Sequence, residues 1–137
     1  MQLTSTLLTA LLSATALAAP AVPDWTIVGM KRTCDKADTK CTWDFKIDTH
    51  LAPPTPCSFT VTGKPASQTD VHGKQCGPYQ VGAGWDGSFG PGKGFTVLSV
   101  VDHTKKLIVW PGYTDKELGT SGKVVSPDKS YAPASIA

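Results

Sequence analysis

The side chains best equipped for chemistry in this chain are aromatic rings set in glycine-rich turns. Trp85 and Asp86 lie between glycines, Phe89 sits inside Gly87-Ser88-Phe89-Gly90-Pro91-Gly92-Lys93-Gly94, and Trp110 opens the run Trp110-Pro111-Gly112-Tyr113. Rings held in such segments are expected to be partly exposed, and an exposed ring beside rigid strands either stacks on a sugar face or anchors a protein partner. Trp85, Asp86, Phe89, Trp110 and Tyr113 are therefore the candidate binding residues. Trp43, which alternates with Phe45 and Ile47, reads as core, and Trp25 as packing at the edge of the domain.

Catalysis asks for spacings that the chain does not offer. Ser88 lacks the Gly-x-Ser-x-Gly setting of a nucleophile elbow, there is no His-Glu-x-x-His, and His50, His72 and His103 each fall in a predicted loop or turn. Asp44 and Asp48 share the polar face of one predicted strand about 13 Å apart, too far for a retaining glycosidase pair. A hydrolytic site would need Asp86 and Asp102 to converge, which spacing alone leaves open. Gly87 to Gly94 nearly spells a phosphate-binding loop, but Gly94 stands where Ser or Thr must ligate magnesium, and Phe95 to Val101 reads as a strand where a helix is needed. No catalytic residue, cofactor or metal site is expected.

Cys34, Cys41, Cys57 and Cys76 have spacings of seven, sixteen and nineteen with no Cys-x-x-Cys pair, so they read as two disulfides rather than a zinc site. Three pairings are open. The polar turn Asp35 to Lys40 could close a hairpin between Cys34 and Cys41, which favours that bridge and leaves Cys57 to join Cys76.

The elements that position these residues are strands. Cys41, Trp43, Phe45 and Ile47 alternate with Thr42, Asp44, Lys46 and Asp48, the pattern of a half-buried strand, and Cys57, Phe59 and Val61 repeat it. Trp25, Ile27, Val28 and Met30 fit a first strand. Phe95 to Val101 and Leu107 to Trp110 are near-continuous β-favouring runs joined by a turn over Asp102 to Lys106, and Val124-Val125 suggests a short late strand. Only Thr114 to Leu118 could make a helical turn. Glu117 is the sole Glu, which argues against long helices. The fold predicted is an all-β domain, a compact antiparallel barrel or two-sheet sandwich of about seven to nine strands.

The N-terminus sets the compartment. Residues 1–18 combine an apolar run too short to span a bilayer with the small-residue exit Ala16-Leu17-Ala18, the mark of a signal peptide. Residues 19–137 are then one secreted β domain with an irregular tail from Pro127 to Ala137. A net charge of +2, with basic and acidic residues interleaved, gives no footprint for nucleic acid, and Lys31-Arg32 and Lys105-Lys106 read as solvated strand ends and turns. With no Asn in the chain any sugar must be O-linked, on the stretch Thr49 to Ser58 or the tail. No later stretch approaches membrane-spanning length, and a monomer is expected.

Taken in order, Trp25-Thr26-Ile27, Arg32-Thr33-Cys34, Cys41 to Asp48, Cys76-Gly77-Pro78-Tyr79, Phe89 to Thr96, Val100-Val101-Asp102 and Trp110 to Asp115 resemble a family of small secreted proteins of filamentous fungi. Its members are described as hypersensitive-response-inducing or surface proteins. The resemblance implies an extracellular, disulfide-stabilised β protein that plant cells perceive as an elicitor of defence or cell death, with a host cell-surface protein or cell-wall glycan as partner, and it supplies no catalytic residues. A non-enzymatic secreted effector is the expected function. The alternative is a cell-wall carbohydrate-binding or hydrolytic protein using the same aromatics with Asp86 or Asp102.

Overall fold

The computed structural model describes residues 21–136, so the expected signal peptide lies outside the described residues. Among them the strands are β1 (Trp25–Cys34), β2 (Lys40–Asp48), β3 (Thr55–Thr62), β4 (Val71–Cys76), β5 (Tyr79–Asp86), β6 (Phe95–Asp102), β7 (Leu107–Val109), β8 (Gly112–Thr114), β9 (Lys129–Tyr131) and β10 (Ala134–Ser135). The helical elements among these residues are a 3-10 turn at Ala66–Gln68 and the single-turn α1 (Asp115–Leu118), neither long or apolar enough to cross a membrane. One antiparallel sheet runs β3-β2-β1-β9. The other runs β10-β7-β6-β5-β4, with β8 also pairing on β6. The sheets do not close into a barrel, so the sandwich form of the expectation is the one realised.

Period-two burial builds the core between the sheets. Cys41, Trp43, Phe45 and Ile47 of β2 point inward, as do Cys57, Phe59 and Val61 of β3, and they meet Val81, Ala83, Leu98 and Val100 from the facing sheet. Trp25 is as buried as Trp43 rather than sitting at an edge, and packs edge-on against Tyr79 at 5.6 Å. In β1 the buried positions step from Ile27 to Met30, three residues rather than two. A bulge lies there, between Val28 and Lys31, with Gly29 at φ +66° supplying the left-handed backbone.

Both disulfides have the favoured pairing. Cys34–Cys41 ties the ends of the β1–β2 hairpin, and Cys57–Cys76 joins β3 to β4, the edge strands of opposite sheets. At the other end of the fold the tail departs from expectation. Val124-Val125 does not form a strand, although the Val125 N–H donates to Met30 O at 2.8 Å. Lys129–Tyr131 instead pairs with β1 and Ala134–Ser135 with β7, so a segment read as irregular passes from one sheet to the other. These two short strands raise the count to ten. Tyr131 packs against the core while Ser130 faces out, but strands of three and two residues are too short for that alternation to show in the sequence.

Helix α1 begins where Thr114 and Glu117 form a capping box. The Thr114 hydroxyl accepts from Glu117 N at 3.1 Å, and the Glu117 carboxylate accepts from Thr114 N at 2.9 Å. Lys129 reaches the same carboxylate at 2.9 Å, which connects the tail to the helix. Burial raises the Glu117 pKa, but the hydrogen bonds from Thr114 and Lys129 and the Lys129 charge outweigh it and hold the group below the ordinary carboxylate value. A lowered folded-state pKa adds stability at pH values above the unfolded-state pKa, and that stability is lost as pH falls through the folded-state pKa. Glu117→Gln is therefore expected to cost roughly 0.5–1 kcal/mol at neutral pH, discounted for partial exposure, with the difference closing in acid. Urea denaturation of both proteins at neutral and strongly acidic pH checks this.

Candidate functional site

Strand alternation divides the expected binding residues between two faces. The β5–β6 register pairs Asp86 with Phe95, Trp85 with Thr96, Gly84 with Val97, Ala83 with Leu98 and Gly82 with Ser99. Ala83, Thr96 and Leu98 are buried, so Gly82, Gly84, Asp86, Phe95, Val97 and Ser99 face outward. Phe89 folds back from the loop and stacks on Phe95, with ring centroids 5.8 Å apart. Trp110, just beyond β7, lines a groove of about 230 Å³ on this face with Gly82, Gly84, Val97 and Ser99. Phe89 is 69% exposed, Trp110 54% and Val97 36%, so the outer face of the larger sheet carries an apolar patch.

The glycines shape this patch. A Cβ at Gly82 would lie 3.1 Å from Ser99 Oγ and 3.2 Å from Val71 O, whereas one at Gly84 would meet nothing. With no side chain at either position, a trough runs beside the Trp110 ring, and Asp70 and His72 form its polar rim. Asp86 is fully exposed at the end of the face. Its Oδ1 accepts from Ser88 N at 2.8 Å, and hydrogen bonds from the Ser88 side chain and backbone hold its carboxyl below the usual range.

The other two expected residues are elsewhere. Tyr113 is buried, in register with Thr96 on the inner face, where Lys129 Nζ lies 4.6 Å from its ring and burial pushes its phenol pKa far up. It is core, not surface. Trp85 also projects from the inner face, half-buried at the end of the sheet, and its Nε1 donates to Asp115 Oδ2 at 2.8 Å. Asp102 is buried, and its carboxylate accepts from the backbone N–H groups of Thr104 and Lys105 to close the β6–β7 turn. Asp86 pairs at one end of the β5–β6 ladder and Asp102 at the other, roughly 23 Å away along the strand. The two carboxylates do not form a pair.

Three participants escaped the sequence reading. Phe95 and Val97 were concealed in a near-continuous apolar run, although extending the alternation outward from Leu98 and Val100 would have placed them on the open face. Arg32, read as solvated, is 2% exposed. Its Nε donates to Gly119 O at 2.9 Å and its terminal nitrogen to Ser67 O at 3.1 Å, with Asp115 Oδ1 at 3.4 Å and the Trp43 ring 5.5 Å away. Burial lowers its pKa and Asp115 opposes that shift. A further groove of about 360 Å³ lies over the β1 bulge, lined by Val28, Lys31, Asp44, Lys46 and Pro56 among others, and includes none of the expected residues. Cys34, Asp38 and Cys41 lie within ligating distance of one another, but both sulfurs are bonded in the disulfide.

Two antiparallel sheets joined by one disulfide, with a second closing a hairpin and aromatic side chains on one open face, define a small disulfide-linked β-sandwich protein. The chain belongs to the Effector TSP1 family, a fungal effector family whose model matches residues 26–136. Effector TSP1 of Hypocrea virens (strain Gv29-8 / FGSC 10586) is 49% identical over 147 residues, an alignment that covers 99% of each chain. The resemblance read from the motifs is thus to the right kind of family.

Proposed function

We propose that this protein is a secreted, non-enzymatic effector that acts at the plant cell surface. A host surface protein binds the outer face of the larger sheet, and that contact triggers defence or cell death. The observation that carries this reading is the cluster of Phe89, Phe95, Val97 and Trp110 against the outer face of the sheet, because exposed rings packed beside strand residues lose little entropy on binding. Membership of an effector family supports it, as does the apolar N-terminal run that reads as a secretion signal. The wide separation of Asp86 and Asp102 removes the hydrolytic pair considered from sequence.

Infiltration of the purified mature protein into leaves, with cell death and ion leakage recorded, tests the proposal. Trp110→Ala is expected to raise the dose needed by about 30-fold, as loss of a central anchor worth about 2 kcal/mol would. Its thermal stability should stay near that of the parent, since the ring is more than half exposed. Full potency of both Trp110→Ala and Phe89→Ala would overturn the assignment of the face. Silence of the parent protein across several plant hosts at micromolar dose would overturn the function.

A further inference from the structure

A second cleft, of about 310 Å³, opens on the side of the glycine-rich loop away from the Phe89–Phe95 stack, and its lining is chemically mixed. Trp85 and Pro91 provide apolar surface, Asp115 a carboxylate, Gln68 an amide, and Gly90 and Gly92 bare backbone. The geometry points to this cleft as a subsite for a neutral pyranose unit of a cell-wall glycan. The inference is independent of the outer-face proposal.

Charge narrows the ligand class first. Arg32 lies 3.4 Å from Asp115 Oδ1, so a cation entering the cleft would meet a carboxylate already paired with a buried guanidinium. A phosphate or carboxylate ligand would face Asp115 directly, and like charges at such range repel. A neutral ligand with many hydroxyls suffers neither penalty. Asp115 can still bind it: one oxygen accepts from Arg32 and the other from Trp85 Nε1, which leaves a lone pair on each for a sugar hydroxyl. The Asp115 side chain is 30% exposed, so these lone pairs are reachable. The Gln68 side chain makes no hydrogen bond among the described residues and offers both a donor and an acceptor at the rim. A pyranose ring combines an apolar C–H face with in-plane hydroxyls, the combination that an indole beside a carboxylate and an amide accommodates.

The site is held in place before any ligand arrives. Arg32 is fixed by Gly119 O and Ser67 O, Asp115 by Arg32, and the indole by Asp115. The backbone closes in on the ring at two glycines. A Cβ at Gly94 would lie 2.5 Å from Asp115 Oδ2 and 2.8 Å from the indole, and one at Gly87 would overlap the far end of the ring. Asp115 N donates to Gly94 O at 2.9 Å, which ties the loop to the start of α1. A carboxylate held from behind by Arg32, and an indole held in turn by that carboxylate, lose little freedom when a sugar binds.

The test is titration of the mature protein with cellohexaose, laminarihexaose and chitohexaose, following the indole N–H resonance of Trp85 by NMR. The expected result is a saturable shift with at least one of these oligosaccharides in the millimolar range or below, and the responding sugar distinguishes a glucan from a chitin source. Gln68→Ala, a change at an exposed side chain without partners, should weaken binding about five-fold, the effect of one lost hydrogen bond. Trp110→Ala should leave it unchanged. No shift at millimolar concentration of any of the three overturns the inference. So does binding that Trp110→Ala abolishes, or binding that Gln68→Ala and Trp85→Phe both leave intact when the backbone N–H resonances of Gly90 and Gly92 are followed instead, since the sugar would then sit elsewhere.

Discussion

Replacing Cys57 and Cys76 together with Ala is expected to lower the unfolding free energy by about 3 kcal/mol, the loop-closure value for a bridge of this span. The bridge links residues nineteen apart in sequence and 5.2 Å apart between Cα atoms. Its position matters as much as its span. β3 pairs only with β2 and β4 only with β5, so no backbone ladder crosses between these two edge strands. In the variant that seam is left to side-chain packing, with Val61 and Val71 on its two sides. Cys34–Cys41 closes a loop of only seven and joins strands already paired from Thr26 to Cys34, so its removal should cost less. Urea titrations of the two double variants give the comparison. Equal losses would mean that the seam is held mainly by packing and that the bridge contributes no more than its hairpin counterpart.

Strands were legible where a buried face alternates with polar side chains, whereas β5 was not, because Gly82 and Gly84 on its open face gave Tyr79–Asp86 the composition of a turn although Tyr79, Val81 and Ala83 bury the other face. β2 could be read outright because Cys41, Trp43, Phe45 and Ile47 leave no other periodicity, and the polar turn before it made Cys34–Cys41 the natural bridge. The step from Ile27 to Met30 also carried information, since a shift in parity within one strand is the trace of a bulge. The C-terminal strands were not legible, because Lys129–Tyr131 and Ala134–Ser135 are three and two residues long, too short to display a period, even though Tyr131 packs against the core. The placement of the candidate residues on one face or the other was legible only in part for a related reason. Exposure of Phe89 and Trp110 follows from their glycine- and proline-rich surroundings. Adjacent residues of a strand face opposite ways, however, so Trp85 and Asp86 could never share a surface once both were placed in β5. The carboxylate beside Trp85 is Asp115, thirty residues on, and only the packing of α1 against the loop brings it there.

Arg32→Ala is expected to destabilise the protein by about 3 to 4 kcal/mol, chiefly through the two carbonyl contacts and the packing lost with a side chain that is 2% exposed, since the Asp115 carboxylate left behind is 30% exposed. The sequence shows an ordinary basic pair, but only Lys31 is placed for solvent. Arg32 fills the space between β1, the 3-10 turn and the start of α1, and its guanidinium is shared among Gly119 O, Ser67 O and Asp115. Truncation leaves two carbonyls short of a donor and a void against the Trp43 ring. Arg32→Lys should recover part of the loss, because an ammonium can reach one or two of these acceptors but cannot present the planar fork that engages them together. Asp115→Asn removes only the charge from the pair, so a cycle combining it with Arg32→Ala isolates the ionic share from the two carbonyl contacts. Because Asp115 also receives the Trp85 indole, Arg32→Ala should shift the Trp85 N–H resonance in the protein that remains folded. An unmoved resonance together with a loss below about 1 kcal/mol, the scale of a surface pair, would show that Arg32 neither supports the fold nor orders the cleft.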